Sequence, residues 1–142
     1  MNYILPTFKA VSVTFACLAV ATGAHALWNP VGFAASFGMP LRPPPRENDV
    51  NINANQPGGK TDASYVSLMG VRQLATGITL LAFASQGKWT EMATILTILG
   101  LVVATTDGFF LYRSGAGAKG PFHAIPGALI ALLAGAVLYL RT

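Results

Sequence analysis

The chain has 142 residues, of which 53% are hydrophobic and only 10% charged, and its mean hydropathy is +0.54. Soluble domains carry about 25% charged residues, so nine basic and five acidic side chains fall short of a water-facing exterior, and a lipid bilayer is the expected solvent. The net charge of +4 is scattered between apolar segments with no Lys/Arg run, which excludes nucleic acid as a partner, and the single cysteine, Cys17, excludes an intrachain disulfide and a structural zinc site.

The first apolar stretch runs from Pro6 to Trp28. With Lys9 ahead of it and Ala24-His25-Ala26 near its end it also fits a secretory signal peptide. The apolar run is long for a signal core, and three remaining helices would lack a fourth partner, so we read it as a retained helix. Val31 to Phe37 reads as a short interfacial helix. Met39 to Ser64 follows as a mobile polar loop, with Pro43-Pro44-Pro45, mixed charges and an Asn-rich stretch ending in Pro57-Gly58-Gly59.

The second apolar stretch covers Tyr65 to Ala84. The turn Ser85-Gln86-Gly87-Lys88 is too short for anything but antiparallel neighbours, and the third stretch, Trp89 to Tyr112, follows it. The Gly-rich segment Ser114 to Pro121 returns the chain for the fourth stretch, His123 to Leu140. Each stretch approaches the ~20 residues that cross ~30 Å of hydrocarbon. Trp28, Tyr65, Trp89, Tyr112 and Tyr139 stand at or near their ends, where amphipathic rings favour the headgroup zone. The expected fold is all-α: an integral membrane four-helix bundle, one multi-pass domain, with a long polar loop between helices 1 and 2. The loops after helices one and three share Arg42, Arg46, Lys60, Arg113 and Lys119, against Lys9, Lys88 and Arg141 on the other face, which directs both termini outside or into a lumen.

Ionisable residues inside such spans carry the chemistry, because Arg or Asp at mid-helix costs ~2.5 to 3.5 kcal/mol on insertion scales. Arg72 lies about 10 Å after Tyr65, and Asp107 about 7 to 8 Å before Tyr112, which predicts nearly equal depth in antiparallel helices. His123 opens the fourth helix at the same end, and His25 lies near the corresponding end of the first. Tyr65, Arg72, Thr76 and Thr79 form one stripe; Thr97, Gly100, Ala104 and Asp107 form another; His123, Gly127, Ala131 and Gly135 recur every four residues. Small residues at that spacing, with Gly70 and Gly77 on the second helix, allow close helix approach and also self-association in lipid.

Two readings of these residues stand side by side. An Arg72–Asp107 ion pair would simply neutralise two charges and fix helix register. Alternatively, Arg72 holds a carbonyl, enolate or carboxylate oxygen, Asp107 orients it or moves a proton, and His123 serves as general acid or base. Tyr65, Thr76 and His25 are then the substrate-binding candidates. Gly115-Ala116-Gly117-Ala118-Lys119-Gly120 matches G-x-G-x-x-G but follows a membrane helix rather than a strand, and Gly59-Lys60-Thr61 lacks the first glycine of a P-loop, where Ala54 stands. No H-E-x-x-H, G-x-S-x-G or metal-ligand cluster occurs, so neither cofactor nor metal is expected.

The run Tyr65-Val66-Ser67-Leu68-Met69-Gly70-Val71-Arg72-Gln73-Leu74-Ala75-Thr76-Gly77, followed by Asp107 and by His123 with Gly127, resembles a family of small four-helix membrane proteins of bacteria and fungi, catalogued as a domain of unknown function and reminiscent of DoxX-like proteins. The resemblance runs from about Asn29 to the C-terminus and includes Asn29-Pro30 and the Phe37-Gly38-Met39-Pro40 turn. Gln73 departs from it, since the residue after the arginine is often acidic there, and the Pro- and Asn-rich loop looks like an insertion. Fungal relatives often appear encoded beside secondary-metabolite enzymes. The resemblance therefore implies an accessory biosynthetic enzyme in the membrane, in the endoplasmic reticulum of a eukaryotic cell, acting on a lipophilic small molecule by isomerisation, cyclisation or hydration. The competing class is a non-catalytic scaffold or carrier for biosynthetic enzymes or lipophilic metabolites.

Overall fold

The computed structural model describes residues 3–36, 60–113 and 119–140, and among these every regular element is helical. They are α1 (Ile4–Trp28), α2 (Pro30–Ser36), α3 (Lys60–Ser85), α4 (Trp89–Ile98), a π-helical segment (Leu99–Ala104), α5 (Thr105–Arg113) and α6 (Lys119–Tyr139). Three stretches are long and apolar enough to cross a membrane: Ile4–Trp28, Ala63–Ser85 and Trp89–Phe110. The 21 residues of α6 span about 31 Å, and its apolar part includes Ile125–Tyr139.

Helix ends follow local chemistry. Asn29 breaks α1, and its Oδ1 accepts the Gly32 N–H at 2.9 Å while Pro30 takes the first helical position, so α2 restarts at once as a capped helix. Beyond Ser85, Gly87 at φ 68° adopts the left-handed conformation; Lys88 N–H reaches the Phe83 carbonyl at 2.9 Å and Gly87 N–H the Ala84 carbonyl at 3.1 Å. This pair of bonds is a Schellman ending, and it reverses the chain within four residues.

The helices form a square in chain order α1, α3, α4–α5, α6. The closest sides are α1 with α3 and the α4–α5 rod with α6; α1 also meets α6, while α3 and α4 share little beyond their turn. Glycine explains the tight sides. A Cβ on Gly23 would lie 2.5 Å from the Leu74 nitrogen, one on Gly70 2.7 Å from the Ala26 Cβ, and one on Gly77 2.7 Å from the Val20 nitrogen. Across the other side, a Cβ on Gly100 would collide with the Gly127 carbonyl oxygen, and one on Gly127 with the Ala104 Cβ. The helices approach backbone to backbone, as association in lipid requires. Gly135, by contrast, has open space where a Cβ would stand, so the expected four-residue stripe of α6 is a packing stripe at Gly127 and Ala131 only.

The buried set is dominated by small side chains such as Ala16, Ala19, Ala26, Ala93, Ala131 and Ala134, while Leu18, Ile78, Leu101, Leu129 and Leu132 point outward. Soluble cores bury the larger class, so this inverted distribution is what a lipid-facing exterior predicts. Larger core residues gather at the turn end of the bundle, where Phe8, Leu80, Met92, Leu96 and Val137 form one cluster. There Lys9 Nζ also sits 4.8 Å from the Trp89 ring centroid.

Several boundaries move relative to the sequence reading. α1 begins at Ile4 rather than Pro6, and the interfacial helix begins at Pro30. α3 starts at Lys60, five residues before Tyr65, so the last part of the stretch read as polar loop is helical; residues 39–59 lie outside the described residues. α6 starts at Lys119 rather than His123, absorbing Pro121 into its first turn, where a missing N–H costs nothing, while residues 114–118 lie outside the described residues. The π-helical interruption of the third span was not foreseen. Its origin lies in the buried positions Met92, Leu96, Gly100 and Gly108, with part-buried Ala104 completing a spacing of four. An α-helix drifts about 40° at each four-residue step, and the wider π turn takes up the difference and keeps one stripe on α6.

Candidate functional site

Gly70 and Gly77 face α1, and Arg72 lies roughly 200° around α3 from Gly70, on the side turned away from α1. Tyr65, Thr76 and Thr79 share that side. The α4–α5 rod presents a matching stripe. Because Leu96, Gly100, Ala104 and Gly108 point at α6, the positions one residue earlier, Ile95, Leu99, Val103 and Asp107, run parallel to them along the next face. Ile95 and Leu99 line a laterally open cleft of about 230 Å³ whose other wall is Ala75, Thr76 and Thr79. The cleft occupies the loosely packed α3/α4 side of the square.

Neither Arg72 nor Asp107 lines this cleft: Arg72 stands one turn beyond Thr76 along α3, and Asp107 two turns beyond Leu99 along the rod. Both side chains are exposed. Counting from the turn, Thr79 is level with Ile95, Thr76 with Leu99 and Arg72 with Val102–Val103. Asp107 lies four to five residues beyond, about 7 Å farther along the axis. The two therefore do not share a depth, which differs from the near-equal depth that counting from Tyr65 and Tyr112 gives. Among the described residues Arg72 makes no ion pair.

The threonines along the groove are less polar than their sequence suggests. Thr76 Oγ1 donates to the Arg72 carbonyl at 2.9 Å and Thr79 Oγ1 to the Ala75 carbonyl at 2.8 Å, so both hydroxyl hydrogens are used within α3. Thr105 and Thr106 donate to the Leu101 and Val102 carbonyls at 2.5 and 2.6 Å, serving backbone acceptors in the π segment.

The remaining candidates separate. Tyr65 is 65% exposed and lies two turns from Arg72 on the same stripe, toward the start of α3. His25 lies on the side of α1 away from the Gly23 and Ala26 contacts with α3, and its ring meets Phe33 of α2 edge-on at 6.0 Å. It belongs to the α1–α2 corner rather than to the groove. His123 is placed by register only: Ala131 lies against Gly100 and Gly127 against Ala104, so the backbone of residue 123 comes level with Gly108, beside Asp107; its side chain lies outside the described residues. Pro126, inside α6, removes the backbone donor that the Phe122 carbonyl would otherwise receive. Among the described residues no three His, Cys, Asp or Glu side chains gather closely enough to hold a metal ion.

Sequence reasoning missed Ala75, Ile95 and Leu99 as groove residues. The available signal was the spacing of four that carries Ile95 and Leu99 to Asp107, legible once the register is four rather than 3.6.

All six candidates fall within residues 16–138, which match the model of a family described as domain of unknown function (DUF4267). The chain belongs to that family. Membership in DUF4267 covers the chain from the middle of α1 almost to the end of α6, so the family unit contains both glycine-packed sides of the square and the groove between α3 and α4. Comparison with curated proteins and with solved structures gives no significant match.

Proposed function

We propose that this chain is a multi-pass membrane enzyme that performs acid/base chemistry, of the isomerisation, cyclisation or hydration type, on a lipophilic intermediate. The observation that supports this reading is that Arg72 and Asp107 are exposed ionisable residues inside two apolar spans, Arg72 one turn along α3 from the laterally open cleft lined by Ala75, Thr76, Thr79, Ile95 and Leu99. A guanidinium donates to a carbonyl or enolate oxygen without giving up its charge, and a carboxylate about 7 Å farther along reaches a carbon of the same extended molecule. In an isomerisation Arg72 would stabilise the enolate oxygen while Asp107 takes a proton from one carbon and returns it to another, leaving no net change in protons. The level of residue 123 beside Asp107 makes His123 the candidate second acid or base. The resemblance carried by Tyr65–Gly77, Asp107 and His123 extends the reading to secondary-metabolite biosynthesis and, in a eukaryotic cell, to the endoplasmic reticulum.

Deletion of the gene followed by complementation tests it. Organic extracts of the deletion strain are expected to lose one compound and accumulate its precursor; the wild type restores the compound, whereas Asp107→Asn at equal abundance does not. Full restoration by Asp107→Asn would remove the catalytic reading and favour a scaffold or carrier for biosynthetic enzymes.

A further inference from the structure

The helices are held together over only part of their length. The core cluster shared by α1, α3, α4 and α6 ends at Ala16, Leu80, Leu96 and Ile130, on the side of the Gln86-Gly87 turn. Beyond it the bundle parts into two pairs, α1 with α3 and the α4–α5 rod with α6, each closed by its own glycine contacts. Among the described residues α5 closely approaches only α6 and the π-helical segment. Burial tells the same story: among the described side chains of α5 and of residues 125–129 of α6, only Gly108 and Gly127 are buried. Where the pairs part, both helices of the second pair carry a backbone defect. The π-helical segment ends at Ala104, whose Cβ faces Gly127. Pro126 is the neighbouring residue of α6, and the hydrogen bond it cannot donate leaves the Phe122 carbonyl without its helical partner, over the turn level with residues 105–109 of the rod. Helices bend at π turns and at prolines, and here the two sites adjoin across a seam of Gly100, Ala104, Gly127 and Ala131 that has no large side chains to interlock.

We propose that Ala104-Thr105 and Pro126-Gly127 form a hinge, on which α5 and the first turn of α6 swing as one two-helix flap toward and away from α3. The close α5–α6 contact makes the flap a unit, and among the described residues no element of the first pair holds it in place. Thr105 and Thr106 brace the hinge, since their hydroxyls donate across it to the Leu101 and Val102 carbonyls. The lever arm decides what moves. Tyr112 lies about 12 Å beyond Ala104 along the axis, so a bend of about 20° carries it about 4 Å. Asp107, less than one turn beyond the pivot, shifts by only about 1.5 Å. The swing therefore widens and narrows the gap between α3 and the tip of α5 and leaves Asp107 nearly in place. It is a gate at the end of the bundle away from the turn, and it goes beyond the reaction proposed above, because it stands whether or not Arg72 and Asp107 are catalytic.

Pulsed dipolar EPR on the full chain in phosphatidylcholine nanodiscs tests the hinge, with the exposed Cys17 replaced by serine. Spin labels at Leu68 and Tyr112 straddle α3 and the flap, and labels at Ile78 and Ile98 straddle the same two walls on the turn side; all four side chains are exposed. The Leu68/Tyr112 distance distribution is expected to be about 4 Å broader than the Ile78/Ile98 one. Pro126→Ala returns a donor to the Phe122 carbonyl and is expected to narrow the distribution toward the reference width. Thr105→Val combined with Thr106→Val removes both braces and is expected to broaden it further. Equal widths for the two label pairs, or a width that neither substitution changes, would overturn the proposal. Amide exchange separates bending from fraying: Thr105–Arg113 is expected to exchange as slowly as Trp89–Ile98, and fast exchange throughout α5 would assign the broad distribution to local unfolding and remove the hinge.

Discussion

Replacing Gly23 by alanine probes the contact on which the α1–α3 side depends. The new Cβ would stand 2.5 Å from the Leu74 nitrogen and 2.8 Å from the Gly70 carbonyl oxygen and the Leu74 Cα. All three are backbone atoms, so no rotamer change relieves the clash. Ordinary contact begins near 3.4 Å, and the helices must part by about 0.9 Å. A gap of that size forfeits a quarter to a half of the dispersion energy of each contact along the seam. Overpacking of this kind costs about 1–3 kcal/mol, and backbone obstruction places it near the upper end. Alanine regains about 1 kcal/mol of helix propensity, leaving a net loss of about 2 kcal/mol, or a melting temperature lower by roughly 4–8 °C. Gly135→Ala is the internal comparison. Nothing lies within 4 Å of its added Cβ, and it is expected to be neutral or up to about 1 kcal/mol more stable. Thermal unfolding followed by circular dichroism in one detergent measures both. A Gly23→Ala protein as stable as Gly135→Ala would refute close backbone approach as the basis of the α1–α3 contact.

Ser12 is fully buried in α1, and its hydroxyl is without a hydrogen-bond partner among the described residues. Ser12→Ala is therefore expected to raise stability by about 1 kcal/mol in the same assay, and a loss instead would mean that the hydroxyl has a partner. Asn29→Ala removes the cap that starts α2 and is expected to cost about 1 kcal/mol, read as faster amide exchange confined to Pro30–Ser36; unchanged exchange there would show that the cap is dispensable. Asp107→Asn carries the functional prediction, through loss of product formation at equal abundance.

The sequence by itself determined the helical class, the membrane setting and the tight turn, because these depend on local quantities. Apolar run length set three of the spans, Gly87 supplied the left-handed residue that ends α3, and the small residues Gly70, Gly77, Gly127 and Ala131 announced close packing. It also singled out Arg72 and Asp107, since a charge inside an apolar run is conspicuous in one dimension. Tertiary structure alone decided which of these residues share a surface. His25 and Arg72 sit near one end of the bundle, yet glycine contacts place them on opposite sides of the α1–α3 pair, a matter of helical phase between elements separated by a long connection. Asp107 lies one position before the buried Gly108 because the π segment holds a spacing of four along the rod, and a 3.6-residue pattern carries no trace of that rewinding. The cleft is likewise a property of pairing: α1 and α3 have glycines to bring them together, α4 and α6 have theirs, and α3 and α4 are joined by a turn with no such seam to close the space between them.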